Sequence, residues 1–238
     1  VSATRQGAGE EGYILHARPW RDTSLLLEVI LREGGRRGVI ARGARANHRQ
    51  RGRLQPFRPL WLELAGRGEL AQLRAVEEAG GMGPLSGRAL ACGYYLNELL
   101  MRLLPRDDPH PAIFDLYAET LARLTAGPPE APALRRFETR LLEELGWAPD
   151  WLHCADGAPI HAEGLYHVAP ESGIVPLSGG RDDGFKGIAL RHLAEARFDD
   201  PASAREIRLI LHGLMAPHLG PQPLRSRELL GMAAAPRA

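Results

Sequence analysis

Lysine is almost missing from this chain: of 238 residues and 30 basic side chains, one is a lysine, Lys186. So complete a bias follows genome composition, so arginine in place of lysine carries no functional message; only the clustering of arginines does. Cysteine is nearly as scarce. Cys92 and Cys154 are the only two, too few for a disulfide framework and consistent with a reducing compartment. No apolar run approaches the ~18 residues needed to cross a bilayer, and no membrane partner is expected. The opening stretch VSATRQGAGEEG has no apolar core of the kind a secretory signal requires. These absences lead to the expectation of a cytoplasmic protein. No Gly-x-Ser-x-Gly elbow and no His-Glu-x-x-His motif occurs, and the nine histidines are scattered without a visible nucleophile–base pairing, so no motif in the sequence points to an enzyme.

What is present is ordinary globular material, 44% apolar and 25% charged, with a formal net charge of +1. That total hides an asymmetry. Residues 1–80 carry 14 Arg against 9 Asp and Glu, and the remainder carries 16 basic against 20 acidic residues. A basic front and an acidic back suggest different tasks. The basic charge is concentrated further. No Asp or Glu lies between Glu33 and Glu63, and eight arginines do: Arg36, Arg37, Arg42, Arg45, Arg49, Arg51, Arg53 and Arg58.

The first eighty residues read as five short strands with glycine turns, over 13–20, 24–31, 36–43, 59–66 and 68–77. That pattern implies a small barrel or sandwich. AGGMGP (79–84) breaks it, and the apolar period then changes from 2 to 3.6. Helices are predicted over 86–104, with Ser86 as cap and Pro105 as stop, then over 111–126 and 134–145, with 127–133 as a stiff link. Residues 147–186 lose the helical period and read as an irregular or β-rich insertion; helices resume over 187–197 and 202–219. The expected class is therefore α+β: a β-barrel domain over 1–80 and a helical domain over 81–238 with an insertion near 147–186.

The arginine stretch falls between the third and fourth strands, as a loop longer than the usual connection. Arginines at irregular spacing can follow an irregular anionic backbone, and phosphate neutralisation releases counterions. Phe57 and Trp61 lie close in sequence and are candidate base-stacking platforms. A small barrel, a basic loop and nearby aromatics form the general recipe for binding single-stranded nucleic acid.

These residues also resemble a known family. GYILHARPWRDTSLLLEV, ARGARANHRQRGRLQPFRPLWLELAGRGELAQLRAVE, YYLNELLMRLLP, ALRRFETRLLEELGW and LGPQPLRSRELL are similar, in order and spacing, to the RecO family of bacterial recombination mediators. The resemblance spans nearly the whole chain. It implies an N-terminal OB-fold followed by a helical domain, and binding of single- and double-stranded DNA with annealing of complementary strands. It further implies work with RecR, and in many bacteria RecF, in loading RecA onto DNA coated by single-strand-binding protein. On this reading Arg42, Arg45, Arg49, Arg51, Arg53 and Arg58 are the first choices for phosphate contact, with Arg36 and Arg37 behind them. Six contacts would give a single-strand salt slope of about −4.

Other constellations have their own readings. In ALRRFETRLLEELGW, Arg135, Arg136 and Arg140 lie near Phe137 on one predicted helix. They read either as surface Arg–Glu pairs or as basic groups rimming an apolar pocket for an acidic, apolar-ended peptide; by resemblance that peptide is the C-terminal tail of single-strand-binding protein. His153, Cys154 and His161 are metal-ligand types in the insertion. Zinc-bearing RecO relatives carry paired C-x-x-C motifs there, whereas here Gly157 stands three residues after Cys154, and adjacent His153 and Cys154 lack standard chelate spacing. No zinc and no other cofactor is expected. GGRDDGFKG (179–187) lacks the ending of a phosphate loop, and the pairs Asp107–Asp108, Asp182–Asp183 and Asp199–Asp200 read as turns. Two other functions stay open: a metal-dependent hydrolase of nucleic acid using the insertion, and an OB-fold adaptor for RNA.

Overall fold

The structure, a computed structural model, describes residues 9–66, 68–81, 83–177 and 184–234. The Asp182–Asp183 pair and most of the turn read over 179–187 lie outside them. The chain divides into two compact units, one running to Ala126 and taking in Pro223 onward, the other Gly127–Gln222.

In the first unit, five strands close into a barrel: β1 (Glu10–Trp20), β2 (Ser24–Leu31), β3 (Gly35–Ala41), β4 (Leu60–Ala65) and β5 (Leu70–Glu78). The order around it is β1-β2-β3-β5-β4, closed by β1 against β4. All pairings are antiparallel except β3 with β5. This is the OB-like barrel expected from the sequence. Closure removes the free strand edges that would otherwise template aggregation. Alternation supplies the interior: Leu25, Leu27, Val29 and Leu31 from β2 and Leu60 and Leu62 from β4 all point into one buried cluster.

The third-to-fourth strand connection is not a plain loop. It contains a short helix, α1 (His48–Arg53), opened by Asn47, whose side-chain oxygen accepts from Gln50 N at 3.1 Å. Helix α2 (Gly87–Leu103) follows Ser86, whose backbone is extended but whose hydroxyl makes no capping bond. Helix α3 spans Pro111–Ala126.

A buried polar contact joins β1 to α2 and α3. The β1–β2 register slips between Ile14 and His16, leaving Leu15 as the extra residue of a bulge. Its carbonyl, released from the ladder, accepts a hydrogen bond from Asn97 Nδ2 of α2 at 2.7 Å. Asn97 Oδ1 in turn accepts from Tyr117 Oη of α3 at 2.6 Å. Asn97 and Tyr117 are fully buried; burial, with the Tyr13 phenol adding to it, holds the Tyr117 hydroxyl well above the ordinary tyrosine pKa, so it stays a donor.

A helix absent from the sequence reading, α7 (Ser226–Ala234), packs on α2. Glu98 holds its start: the carboxylate accepts from Arg225 N at 3.0 Å, Ser226 N at 2.9 Å and Ser226 Oγ at 2.6 Å, and pairs with Arg102 at 3.0 Å. Burial pushes this carboxyl's pKa up, but those hydrogen bonds and the guanidinium outweigh it, and the pKa sits below its usual value.

The second unit contains α4 (Glu130–Glu144), α5 (Gly187–Ala194), α6 (Pro201–Leu219) and a three-stranded sheet. The second part of the stretch read as a stiff link, from Glu130, is the first turn of α4, where Pro132 is tolerated because the first amides lack helical acceptors. The insertion is the sheet: β6 (Leu165–Ala169) lies between β7 (Gly173–Pro176) and β8 (Phe185–Lys186). Asp200 caps α6, accepting from Ala202 N at 2.8 Å.

Two outcomes test this account. Asn97→Ala leaves the Leu15 carbonyl and the Tyr117 hydroxyl buried without the amide, and urea unfolding should show a loss of about 2–4 kcal/mol; a loss under about 1 kcal/mol would mean that water replaces it. Because the Glu98 pKa is depressed on folding, its contribution is complete above the unfolded value and is lost as pH falls through the folded one. The stability gap between wild type and Glu98→Gln should therefore be full at pH 7 and shrink as pH falls below the ordinary glutamate range, whereas a gap that does not change with pH would overturn this role.

Candidate nucleic-acid interface

The arginine stretch is anchored at both ends by apolar residues. Ala44 and Leu54 belong to the barrel core. Phe57 is buried, its ring 5.1 Å from that of Tyr94 on α2 in an edge-on arrangement. Gly93 makes this seat possible, because a Cβ there would lie 2.8 Å from the Phe57 ring and 2.8 Å from Leu85. Phe57 also holds a left-handed backbone, with φ at +69°. That conformation costs a non-glycine residue about 1–2 kcal/mol, which burial of the ring offsets.

Between the anchors the arginines divide by environment. Arg45 is a tether: its backbone amide donates to Thr23 O at 2.9 Å, and its guanidinium donates to Arg21 O and Asp22 O, each at 3.0 Å. It thereby holds the basic stretch beside the turn between β1 and β2. Arg42, Arg49 and Arg51 are exposed and Arg53 half-buried; among the described residues none of the four has an acidic partner. Arg49 and Arg53 are one turn apart on α1, where like charges repel by a few tenths of a kcal/mol. Arg51 and Arg53, in its last turn, face the negative helix end, a modest compensation. Four cations without carboxylates on a rigidly seated segment make a surface for an external anion.

The remaining candidates are placed differently. Arg36 donates to Glu28 at 3.0 Å and to Leu104 O at 2.9 Å, and Arg37 pairs with Asp107 at 2.8 Å. Arg106 shares the Glu28 carboxylate. Arg36 and Arg37 thus cross-link β3 to the connection between α2 and α3, and are not free cations. Arg58 lies 3.9 Å from Glu78, both half-exposed, a contact worth little.

Neither proposed stacking platform is open to a base beside the arginines. Phe57 is sealed against α2. Trp61 stands on the outer face of β4 opposite Glu11 on one side and Glu77 on the other, and flanking carboxylates disfavour an approaching phosphate. The exposed aromatic beside the basic segment is instead Tyr94, 40% exposed. The period of α2 could have revealed it: Tyr95, Leu96, Leu99 and Leu100 form the buried face, and Tyr94 falls outside it.

In the second unit the four residues read as a peptide-docking patch do not form one rim. Phe137 is fully buried, as its α4 period demands. Arg135, 11% exposed, pairs at 2.9 Å with the buried Glu138 carboxylate, which His212 Nε2 also approaches to 3.8 Å. Arg136 lies with its guanidinium 5.5 Å from the Phe198 ring centre. Arg140 is exposed and pairs with Glu143 and Glu144. The i, i+3 and i, i+4 surface pairing anticipated for this helix therefore describes Arg140.

Of the three metal-ligand types in the insertion, His153 pairs with Asp150 at 2.9 Å, Cys154 is buried and His161 is exposed. Burial, with Asp156 nearby, raises the Cys154 thiol pKa. Among the described residues no group of three or more His, Cys, Asp or Glu side chains is gathered as a metal site would require, and no helix is long and apolar enough to cross a membrane.

Comparison with known proteins agrees with the barrel and the helices together. Residues 8–81 match the family model of the recombination protein O N-terminal region, and residues 84–228 that of its C-terminal region. The chain is 43% identical over 222 residues to the DNA repair protein RecO of Pseudomonas paraeruginosa, covering 93% of this chain and 94% of that protein. It is 42% identical over 234 residues to the DNA repair protein RecO of Alkalilimnicola ehrlichii, covering 96% and 93%, and 39% identical over 225 residues to that of Ralstonia nicotianae, covering 93% and 83%. With both regions matched in order and relatives aligned along nearly the whole length, the chain belongs to the RecO family of DNA repair proteins.

Proposed function

We propose that this protein is a non-enzymatic recombination mediator that binds DNA through Arg42, Arg49, Arg51 and Arg53. The observation that carries the reading is the state of those four side chains: cationic, three of them exposed and Arg53 half-buried, and without an acidic partner among the described residues, on a segment seated by Leu54 and Phe57. Two complementary strands repel each other as polyanions. A cationic surface that neutralises phosphates lowers that repulsion without reading bases, so it binds single and double strands alike and favours annealing with weak sequence preference.

Family membership supports the wider setting. In it the protein acts in the bacterial cytoplasm at the chromosome, without a cofactor. It joins RecR, and RecF where present, in placing RecA on strands coated by single-strand-binding protein. For the tail of that coating protein, Arg136 and Arg140 are the assigned contacts on α4, since Arg135 and Phe137 are committed to the interior.

Reversing three of the four cations together, Arg49→Glu, Arg51→Glu and Arg53→Glu, should weaken binding to a labelled single strand by roughly 100-fold and flatten the salt dependence, from a slope of about −3 for four contacts to near −1. Unchanged affinity and slope would overturn the assignment. Binding of a tail peptide, measured by fluorescence anisotropy, should fall with Arg136→Glu and hold with Arg123→Glu, an exposed arginine of the other unit; equal behaviour of the two would remove α4 as the docking element.

A further inference from the structure

A cleft of about 440 Å³ opens beside the basic segment. Its apolar wall is built from Leu15 and Leu25 of the barrel and Leu54 at the end of α1; His16, Arg51 and Tyr94 are its polar and aromatic lining. The three leucines are buried core residues whose flanks reach the cleft. A second hollow, of about 220 Å³, shares Gln55, Pro56 and Tyr94 with the first and is also lined by Phe57 and Arg58. Tyr94 therefore lines two neighbouring hollows, each with an arginine beside it.

We infer that this cleft receives one unstacked base of a single strand, with the Tyr94 ring as its stacking partner and Arg51 on the adjoining phosphate. The inference rests on the DNA-binding reading above and adds to it where a base, as distinct from the backbone, makes contact. The chemistry of the lining selects the occupant. An apolar wall beside an exposed aromatic suits a flat, partly apolar heterocycle, and a guanidinium within the same cleft suits the phosphate attached to it. A duplex keeps its base faces stacked inside and offers only backbone and groove edges, so it has no free base face to set against Tyr94. The strand continues past Tyr94 into the smaller hollow, where Arg58 stands.

The placement of Tyr94 is itself built. It sits one turn before Asn97 on α2, and Asn97 is bonded to the carbonyl of Leu15, a residue of the cleft wall. The bulge that exposes that carbonyl also turns His16 outward into the lining. One backbone irregularity thus fixes both wall and platform.

The test uses the full chain with a labelled oligothymidine strand, a duplex of equal length, and a single strand carrying 2-aminopurine, whose fluorescence reports stacking. Tyr94→Ala should weaken single-strand binding about tenfold, leave duplex binding within twofold, and leave the single-strand salt slope unchanged because the phosphate contacts remain. Tyr94→Phe should restore binding and the 2-aminopurine quench, whereas Tyr94→Leu, which keeps the apolar packing against Phe57, should not. Equal losses on single strand and duplex, or rescue by leucine as good as by phenylalanine, would overturn the inference and make Tyr94 a packing residue. Wild-type single-strand affinity in Tyr94→Ala, while the triple arginine reversal still weakens binding strongly, would reject the base cleft and leave the DNA-binding surface standing. If neither change affects binding, both readings fall.

Discussion

Two hydrogen bonds through one buried amide organise the first unit. Asn97 gives its NH₂ to the Leu15 carbonyl and takes the Tyr117 hydroxyl on its oxygen. A bulged strand releases a carbonyl that its own ladder does not satisfy, and an unsatisfied buried carbonyl costs as much as many native contacts contribute. The bulge is therefore stable only with α2 in place, and α2 is oriented by the same bond. The barrel cannot be described apart from the two helices that follow it. This is why the compact unit reaches Ala126, and Glu98 on α2 brings in the segment from Pro223 onward, while the two family models meet between residues 81 and 84.

From that frame the basic segment acquires its character. Leu54 enters the barrel core, Phe57 fits the slot that Gly93 leaves on α2, and Arg45 ties the segment to the turn between β1 and β2. Each anchor is apolar or uses backbone acceptors, so none consumes a carboxylate. The arginines in between keep their charge unneutralised. Arg36 and Arg37, just upstream, meet the opposite fate because β3 brings them against Glu28 and Asp107. Eight arginines in one acid-free interval of sequence thus become a set of structural cross-links and a set of free cations.

The readable part of the fold was the part governed by period. Alternation in PLWLELAG and the 3.6 spacing from Leu96 to Leu103 report burial directly, and the strands and longer helices lie where those patterns put them. Short elements escaped. Helix α1 has no apolar face to detect, being six residues with none buried, and α7 depends on Glu98, over a hundred residues away in sequence. Phe57 and Trp61 were adjacent to the arginines in sequence, but a stacking platform needs an open face and a compatible potential. Burial removes the first from Phe57, and Glu11 and Glu77 remove the second from Trp61.

The sequence by itself determined the class of the protein: an acid-free run of arginines, a switch of period from 2 to 3.6, and an ordered set of motif words, all of them local properties of the chain. Only the tertiary structure decided which arginines remain available and which aromatic stands beside them. An ion pair or a ring contact is set by distances between residues far apart in sequence. Leu104 O accepting from Arg36, Asp107 reaching Arg37, and Tyr94 rising beside Arg51 from a helix some forty residues further on are all consequences of how α2 and the connection after it pack on the barrel.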